Sequence, residues 1–259
     1  MKIAVCVKEV PDTSAPKRID PTTMRLDRSG EGALNLGDTN AIEAALRIKE
    51  ATGECEVVLV SMGPEGAINS LRKGLAMGAD RAVLISDEAA AGSDIVATTG
   101  VLAASLTQES ANLTLFGQQS ADSDGAVLWA AVADRLQQPV ISQATSLELA
   151  DGKAKVKRQT EYGYDLIEAP LPCVIAVSDG INEPRYPSLK GIMSAKKKPQ
   201  DTVTLDGLGV SADQTGSAGS RTEVKSLSDP PARGDSQVIE GDGEAAAKLL
   251  AFLTDKKLV

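Results

Sequence analysis

Short apolar runs alternate with segments of helical apolar spacing over the first half of the chain. That alternation restricts the fold more than any single residue does. Residues 2–8 (K-I-A-V-C-V-K) are an apolar run with polar ends, the pattern of a parallel strand buried on both faces. Residues 9–37 are loop-like, with Pro11, Pro16, Pro21 and a Ser29-Gly30-Glu31-Gly32 turn. From Asp38, read as an N-cap, Ala41, Ile42, Ala45, Leu46 and Ile48 recur at helical spacing until the pattern stops near Gly53. Further strands are predicted at 56–61, 81–85 and 113–116. Helices are predicted from Gly63-Pro64 to about Met77, over 93–109 and over 126–136. This β-loop-α order predicts an α/β fold with a doubly wound, mostly parallel sheet and right-handed crossovers.

After Pro139 the period changes. Residues 146–150 and 153–158 alternate with period two on either side of Asp151-Gly152, a strong hairpin signal, so a β-hairpin insertion is predicted. A strand at 174–178 returns to the sheet. Residues 200–242 are rich in Gly, Ser, Asp and Pro with little periodicity, and only 244–257 is helical in pattern again. The expected organisation is an α/β domain over 1–199 followed by an extended C-terminal arm and terminal helix over 200–259. An arm of that composition is expected to be ordered by packing on something else.

Composition removes several kinds of chemistry. The 259 residues contain no histidine, which excludes a histidine-based triad and takes away the usual general base near neutral pH. Cys6, Cys55 and Cys173 are an odd number with no CxxC pattern, which fits buried reduced thiols and not a disulfide frame or a metal site. The net charge of −9 argues against nucleic acid as a partner. No apolar run reaches the ~20 residues that span a bilayer, and the chain enters a strand at once, so no membrane insertion and a cytoplasmic location are expected.

In an open parallel sheet, ligands sit beyond the carboxyl ends of the strands. The loops there are 7–11, 61–64 and 117–125. The last, G-Q-Q-S-A-D-S-D-G, is bounded by glycines and runs into a helix N-terminus, where N–H groups and the helix dipole favour an anion. It reads either as a phosphate site or as an ordinary capped βα turn. It lacks G-x-G-x-x-G and the P-loop lysine. Asp122 and Asp124 read as turn caps in preference to a metal or acid pair. Arg158 and Glu161 read as a cross-strand or interface ion pair in preference to a catalytic pair. Trp129, Met77 and Met193 read as packing residues.

The segment 182–199, N-E-P-R-Y-P-S-L-K-G-I-M-S-A-K-K-K-P, is the most individual stretch of the chain. Between Glu183 and Lys198 it holds five cations and one anion. Its prolines exclude a central strand, so it reads as an exposed loop running into a short helix. It is either a docking device offering apolar side chains beside positive charge, or a solvated loop with a lysine cluster.

This segment resembles the partner-recognition segment of electron transfer flavoprotein β subunits. The segments at 2–8, 40–50 (N-A-I-E-A-A-L-R-I-K-E), 60–64 (V-S-M-G-P), 75–81 (L-A-M-G-A-D-R) and 156–161 (V-K-R-Q-T-E, with Leu171-Pro172 following) resemble the same family. They fall in order over roughly residues 1–200, with a weaker match to the end. The resemblance implies an adenine-nucleotide α hydrolase-like fold and a heterodimer with an α subunit that carries most of the redox FAD. It implies that this chain is an electron-carrier subunit without catalysis of its own. Electrons would come from acyl-CoA or related flavin dehydrogenases, as in fatty acid oxidation, and pass toward a membrane electron transfer flavoprotein-quinone oxidoreductase. It places a structural AMP near Cys6, Asn35, Leu36, Gly37, Asp38, Met62, Gly117, Gln119, Ser120, Asp122, Asp124, Gly125, Ala126, Val127 and Leu128. It places partner docking on Tyr186, Leu189, Ile192, Met193, Lys196, Lys197 and Lys198. Many members carry Asn-Gln-Thr where this chain has Ala126-Val127-Leu128, which keeps open a second FAD in place of AMP, as in electron-bifurcating members. From another class, a nucleotide-hydrolysing or adenylating α/β enzyme would need a phosphate-loop lysine or an acid–base pair. A stand-alone nucleotide-binding stress module would leave the arm unexplained.

Overall fold

The computed structural model describes residues 1–12, 14–232 and 238–259. The part of the expected arm at 233–237 lies outside the described residues. Contacts divide the chain into two compact units, Met1–Glu223 and Val224–Val259. The first unit runs past the boundary expected at residue 199.

The first unit is built on one nine-stranded sheet. In chain order its strands are β1 (Lys2–Cys6), β2 (Glu56–Met62), β3 (Arg81–Ile85), β4 (Leu113–Gly117), β5 (Val140–Ala150), β6 (Lys153–Thr160), β7 (Gly163–Pro170), β8 (Cys173–Val177) and β9 (Gln200–Val203). Their spatial order is β7-β6-β5-β8-β4-β1-β2-β3-β9. Every pair from β5 across to β9 is parallel, and β5-β6-β7 extend the sheet as an antiparallel meander. Its helices of seven or more residues are α1 (Leu36–Thr52), α2 (Ile68–Met77), α3 (Ile95–Glu109), α4 (Leu128–Leu136) and α5 (Leu189–Ala195), and a single helical turn follows at Gly216–Gly219. Ala41, Ile42 and Leu46 of α1 and Leu71 and Leu75 of α2 pack with Ile3, Val5 and Leu59 on one face of the sheet. On the other face, Val101, Leu102 and Leu106 of α3 and Val132 of α4 pack with Ala4, Cys6, Val58 and Val60. Alternate residues of β1 and β2 thus enter opposite layers, which is why these strands read as unbroken apolar runs. The doubly wound, mostly parallel fold is the one expected.

The hairpin also forms at the expected place. Ala150 pairs with Lys153 across Asp151 (φ 54°) and Gly152 (φ 71°), two left-handed residues that match the twist of the flanking strands. Several local expectations are corrected. Asp38 is not an N-cap: α1 starts at Leu36 with Asn35 at the cap position, and the Asp38 carboxylate accepts the Lys8 N–H at 2.8 Å. The helix expected from Ala126 starts at Leu128, because Asp124 (φ 47°) and Ala126 (φ 43°) are left-handed and cannot continue a helix. A three-residue turn of tighter helix, Glu65–Ala67, intervenes before α2. Strands β7 and β9 were not foreseen. β9 makes the edge of the sheet beside β3, and Leu205 and Thr215 are buried, so the start of the expected arm belongs to the first unit. The 9–37 stretch holds two short ribbons, Glu9–Pro11 with Gly32–Leu34 and Ile19–Asp20 with Arg25–Leu26. Arg158 meets Asp165 at 3.4 Å, its partner across β6 and β7, in place of Glu161.

In the second unit, α6 (Ala245–Asp255) forms where the pattern places a helix, with Leu249, Leu250 and Phe252 exposed. No described helix is long and apolar enough to cross a membrane.

Candidate functional site

Parallel strands put their carboxyl ends on one edge of the sheet, and the ends of β1, β2 and β4 bring most of the expected site residues together there. A glycine at the end of β4, Gly117, allows this. A methyl group on Gly117 would lie 2.6 Å from Asp38 Oδ1 and 2.6 Å from the Gly37 carbonyl carbon, and one on Gly37 would lie 3.4 Å from the Gln119 carbonyl oxygen. The first turn of α1 therefore sits directly on the end of β4, an approach open only to residues without Cβ.

Three polar residues in this cluster hold loops instead of facing solvent. Asn35 is buried, donates to the Gln119 carbonyl at 3.0 Å and accepts from the Ala121 N–H at 3.1 Å, pinning the β4–α4 loop at two points. Asp38 is buried and accepts from the Lys8 and Gly117 N–H groups, so it joins the loops after β1 and β4. Burial pushes its carboxyl up to about 7, against the hydrogen bonds from Asn35 and Lys8 and the Lys8 charge that favour the anion. Asp122, with a side chain only 2% exposed, pairs with Lys8 at 2.9 Å and with Arg28. Burial opposes ionisation, yet hydrogen bonds from Ser120, Arg28 and Lys8 hold its carboxyl well below the usual carboxylate range. Lys8 Nζ also donates to Ser120 Oγ at 3.3 Å, and Lys17 donates to the Ala121 carbonyl. Asp122 is thus an ion-pair node between loops, more than the turn cap expected from sequence, whereas Asp124 accepts from Gln119 Nε2 at 3.3 Å within its own loop.

The remaining residues of the cluster are apolar or small. Cys6 is buried at the end of β1, and burial with the nearby Asp38 charge drives its thiol far up, so it stays protonated and unreactive. Met62 is half-buried at the end of β2, while Leu36 and Val127 are exposed. No side chain caps α4, which leaves its first N–H groups and the positive end of its dipole for an external acceptor. A side chain at Gly125 would meet only Ile95, at 3.8 Å. Trp129 is half-buried and donates its indole N–H to the Gln118 carbonyl at 3.1 Å, bracing the loop from beneath. Lys17 and Arg28 were missed by sequence reasoning. They lie in a stretch without periodicity, and their roles arise from contacts about a hundred residues away in the chain. Among the described residues no group of three or more Cys, Asp or Glu is placed to hold a metal ion.

The second group of expected residues lies on and around α5. Ser188 caps this helix, accepting from the Gly191 N–H at 3.0 Å. Tyr186 is 94% exposed, Leu189 82% and Met193 79%, and Ile192 is also exposed. Met193 is therefore not a packing residue, whereas Met77 is buried. Lys196 and Lys197 are exposed, but Lys198 is not a free surface cation. Its Nζ donates to the Leu75 carbonyl at 2.9 Å and to the Ala79 carbonyl, capping the end of α2, and burial lowers its pKa.

The model of the electron transfer flavoprotein domain family matches residues 23–208. The caffeyl-CoA reductase-Etf complex subunit CarD of Acetobacterium woodii is 40% identical over 263 residues, covering all of both chains. The electron transfer flavoprotein subunit beta of Megasphaera elsdenii is 39% identical over 258 residues, covering 95% of this chain and 94% of that one. The subunit of the same name from Mycobacterium tuberculosis is 36% identical over 263 residues and 99% of each chain. With such identity carried over nearly the whole length of both partners, the chain belongs to the electron transfer flavoprotein family, as one of its β subunits.

Proposed function

We propose that this chain pairs with an electron transfer flavoprotein α subunit, covers the FAD held mainly by that subunit, and binds a structural AMP at the carboxyl ends of β1, β2 and β4. The observation that carries the nucleotide reading is the uncapped start of α4 beside a glycine with open space, within a loop cluster that also holds Lys8, Lys17 and Arg28. Asn35, Asp38 and Asp122 are engaged with the protein itself. They position the loops, and the backbone at 125–128 is left to meet phosphate. The flavin would supply the redox chemistry, and this chain makes and breaks no bonds. Its Tyr186, Leu189, Ile192 and Met193 would dock acyl-CoA or related flavin dehydrogenases as electron donors, in cytoplasmic fatty acid oxidation. Delivery would be to a membrane quinone oxidoreductase.

A second reading places FAD in the β-subunit nucleotide site, as in an electron-bifurcating complex. It is favoured by the apolar Ala126-Val127-Leu128 at the start of α4, and by the 40% identity to a subunit of a reductase-Etf complex. A nucleotide-hydrolysing enzyme is disfavoured because Asp122 is occupied by two cations and Asp124 sits in a turn. The absorbance spectrum and released nucleotides of the co-purified αβ complex test these readings. One FAD with one AMP is expected, two FADs support the second reading, and one FAD with no other nucleotide overturns the β-subunit site.

A further inference from the structure

The chain that presents Tyr186, Leu189, Ile192 and Met193 is held from beneath by a single stripe of α1. Asn40, Glu43, Arg47 and Glu50 recur at three- and four-residue spacing, which lines them up along one helix face. Each meets the stretch 179–185. Asn40 Nδ2 donates to the Asn182 carbonyl at 2.9 Å, and Asn182 Nδ2 returns a bond to the Asn40 carbonyl at 3.0 Å. Arg47 donates to the Glu183 carbonyl at 3.5 Å. Arg185 is clamped between two carboxylates: its Nε donates to Glu43 Oε2 at 2.7 Å, its NH2 group to Glu43 Oε1 at 3.1 Å, and both NH groups reach Glu50. The Arg185 backbone N–H adds a bond to Glu43 at 3.3 Å.

Glu43 is the pivot of this arrangement. Its side chain is only 4% exposed, and Arg47 takes its other side at 2.8 Å. Burial opposes its ionisation, but the hydrogen bonds from Arg185 and Arg47 outweigh burial and keep the carboxyl below its ordinary range. A buried carboxylate held by two guanidinium groups is a costly structure, and removing one partner leaves a charge poorly compensated. Charge-assisted pairs of this fork geometry fix direction as well as distance.

Under the first turn of α5 and just past its end a different device operates. A methyl group on Gly191 would lie 2.2 Å from the Ala76 carbonyl oxygen, so α5 rests directly on the last turn of α2, which Lys198 closes. Seven residues are too few for a helix to hold its own shape in water. The direction of α5 is therefore set from outside, by the Arg185 clamp before its entrance, the α2 seat under its first turn at Gly191 and the Lys198 cap past its exit. The exposed apolar side chains between these anchors are aimed by them.

We propose that Glu43 and Arg185 are positioning residues for partner docking: their ion pair fixes the path of 182–188 and hence the direction in which Leu189 and Met193 are presented to a dehydrogenase. The inference rests on the docking reading of α5 given above. The test uses the flavin-loaded αβ complex and a purified acyl-CoA dehydrogenase, with Leu189→Ala, Arg185→Gln and the double variant. Arg185→Gln is expected to raise KM for the dehydrogenase about ten-fold while leaving kcat, flavin content and dithionite reduction unchanged. Leu189→Ala should then cost less in the Arg185→Gln background than alone, because the side chain is already misdirected. Glu50→Gln, which removes only the exposed half of the clamp, should raise KM by a smaller factor and guards against a folding failure of the first variant. An unchanged KM for Arg185→Gln beside a raised KM for Leu189→Ala overturns the positioning role alone, as does strict multiplicativity of the two effects. An unchanged KM for Leu189→Ala overturns the docking reading and the inference with it.

Discussion

The loops at the carboxyl ends of the strands and the segment around α5 use polar residues in the same way and leave different groups outside. In the loops, Asn35, Asp38 and Asp122 look like ligand-binding groups in sequence, but they are buried and bonded to neighbouring loops, so that backbone is what remains to be offered. Around α5, polar residues again turn inward, on the stripe of α1, and what is offered is a set of apolar side chains. Residue chemistry alone does not tell which polar groups of either region are already bonded within the protein. A buried carboxylate or amide of this kind fixes the geometry of the groups around it.

Four substitutions break or sharpen this contrast. Gly117→Ala should have the largest effect, because the new methyl group collides with Asp38 and the Gly37 backbone. A loss of about 3 kcal/mol is expected for overpacking at a point that cannot relax, read as a lower Tm and, on the proposed nucleotide reading, as loss of that nucleotide. A variant with unchanged Tm and nucleotide content would show that the close approach is not needed.

Asp38→Asn should change the pH dependence of stability. The folded carboxyl titrates at about 7 because burial disfavours its charge, whereas in an unfolded chain an aspartate titrates near ~3.9. The folded state therefore binds the extra proton across that window, and the stability it contributes is lost as pH rises toward 7, with a slope of at most ~1.4 kcal/mol per pH unit. The Asn variant lacks this term and should gain on the native protein as pH rises from 4 to 7. Parallel Tm profiles for the two proteins would remove Asp38 from its buried position.

Lys198→Met should lower stability by about 1–2 kcal/mol through two lost hydrogen bonds to carbonyls, with little change in the salt dependence of docking. Lys197→Gln, at an exposed position, should do the reverse. It should leave Tm unchanged and slow association with an acidic partner a few-fold at low salt, an effect that fades as salt is added. If the two lysines exchange these behaviours, the assignment of one as structural and the other as surface charge fails.

The parallel core was legible because β1, β2, β3, β4 and β8 are buried on both faces and so are written as apolar runs. β7 was not, because most of its side chains are exposed and its only burial signal is at Ile167 and Ala169. β9 is four residues of polar edge strand, indistinguishable by pattern from the irregular chain that follows. At the site, loop position was legible and role was not. Asp38 carries the signal of an N-cap, and only the fold brings the Lys8 amide to it. Lys196, Lys197 and Lys198 are equivalent as sequence, and the carbonyls of α2 distinguish the third. The pairing of Glu43 with Arg185 joins two family-like segments that sequence reasoning had read separately.

The stripe on α1 separates what holds α5 from what α5 displays. Tyr186, Leu189, Ile192 and Met193 take no part in the Glu43–Arg185 pair, the Asn40–Asn182 exchange or the Lys198 cap. These four positions can therefore vary with little penalty to the fold, while the mount beneath them stays as it is. On the proposed docking role, such a chain is re-tuned to a new electron donor by changing an exchangeable tip, and divergence among related chains should accumulate at the tip faster than at its anchors.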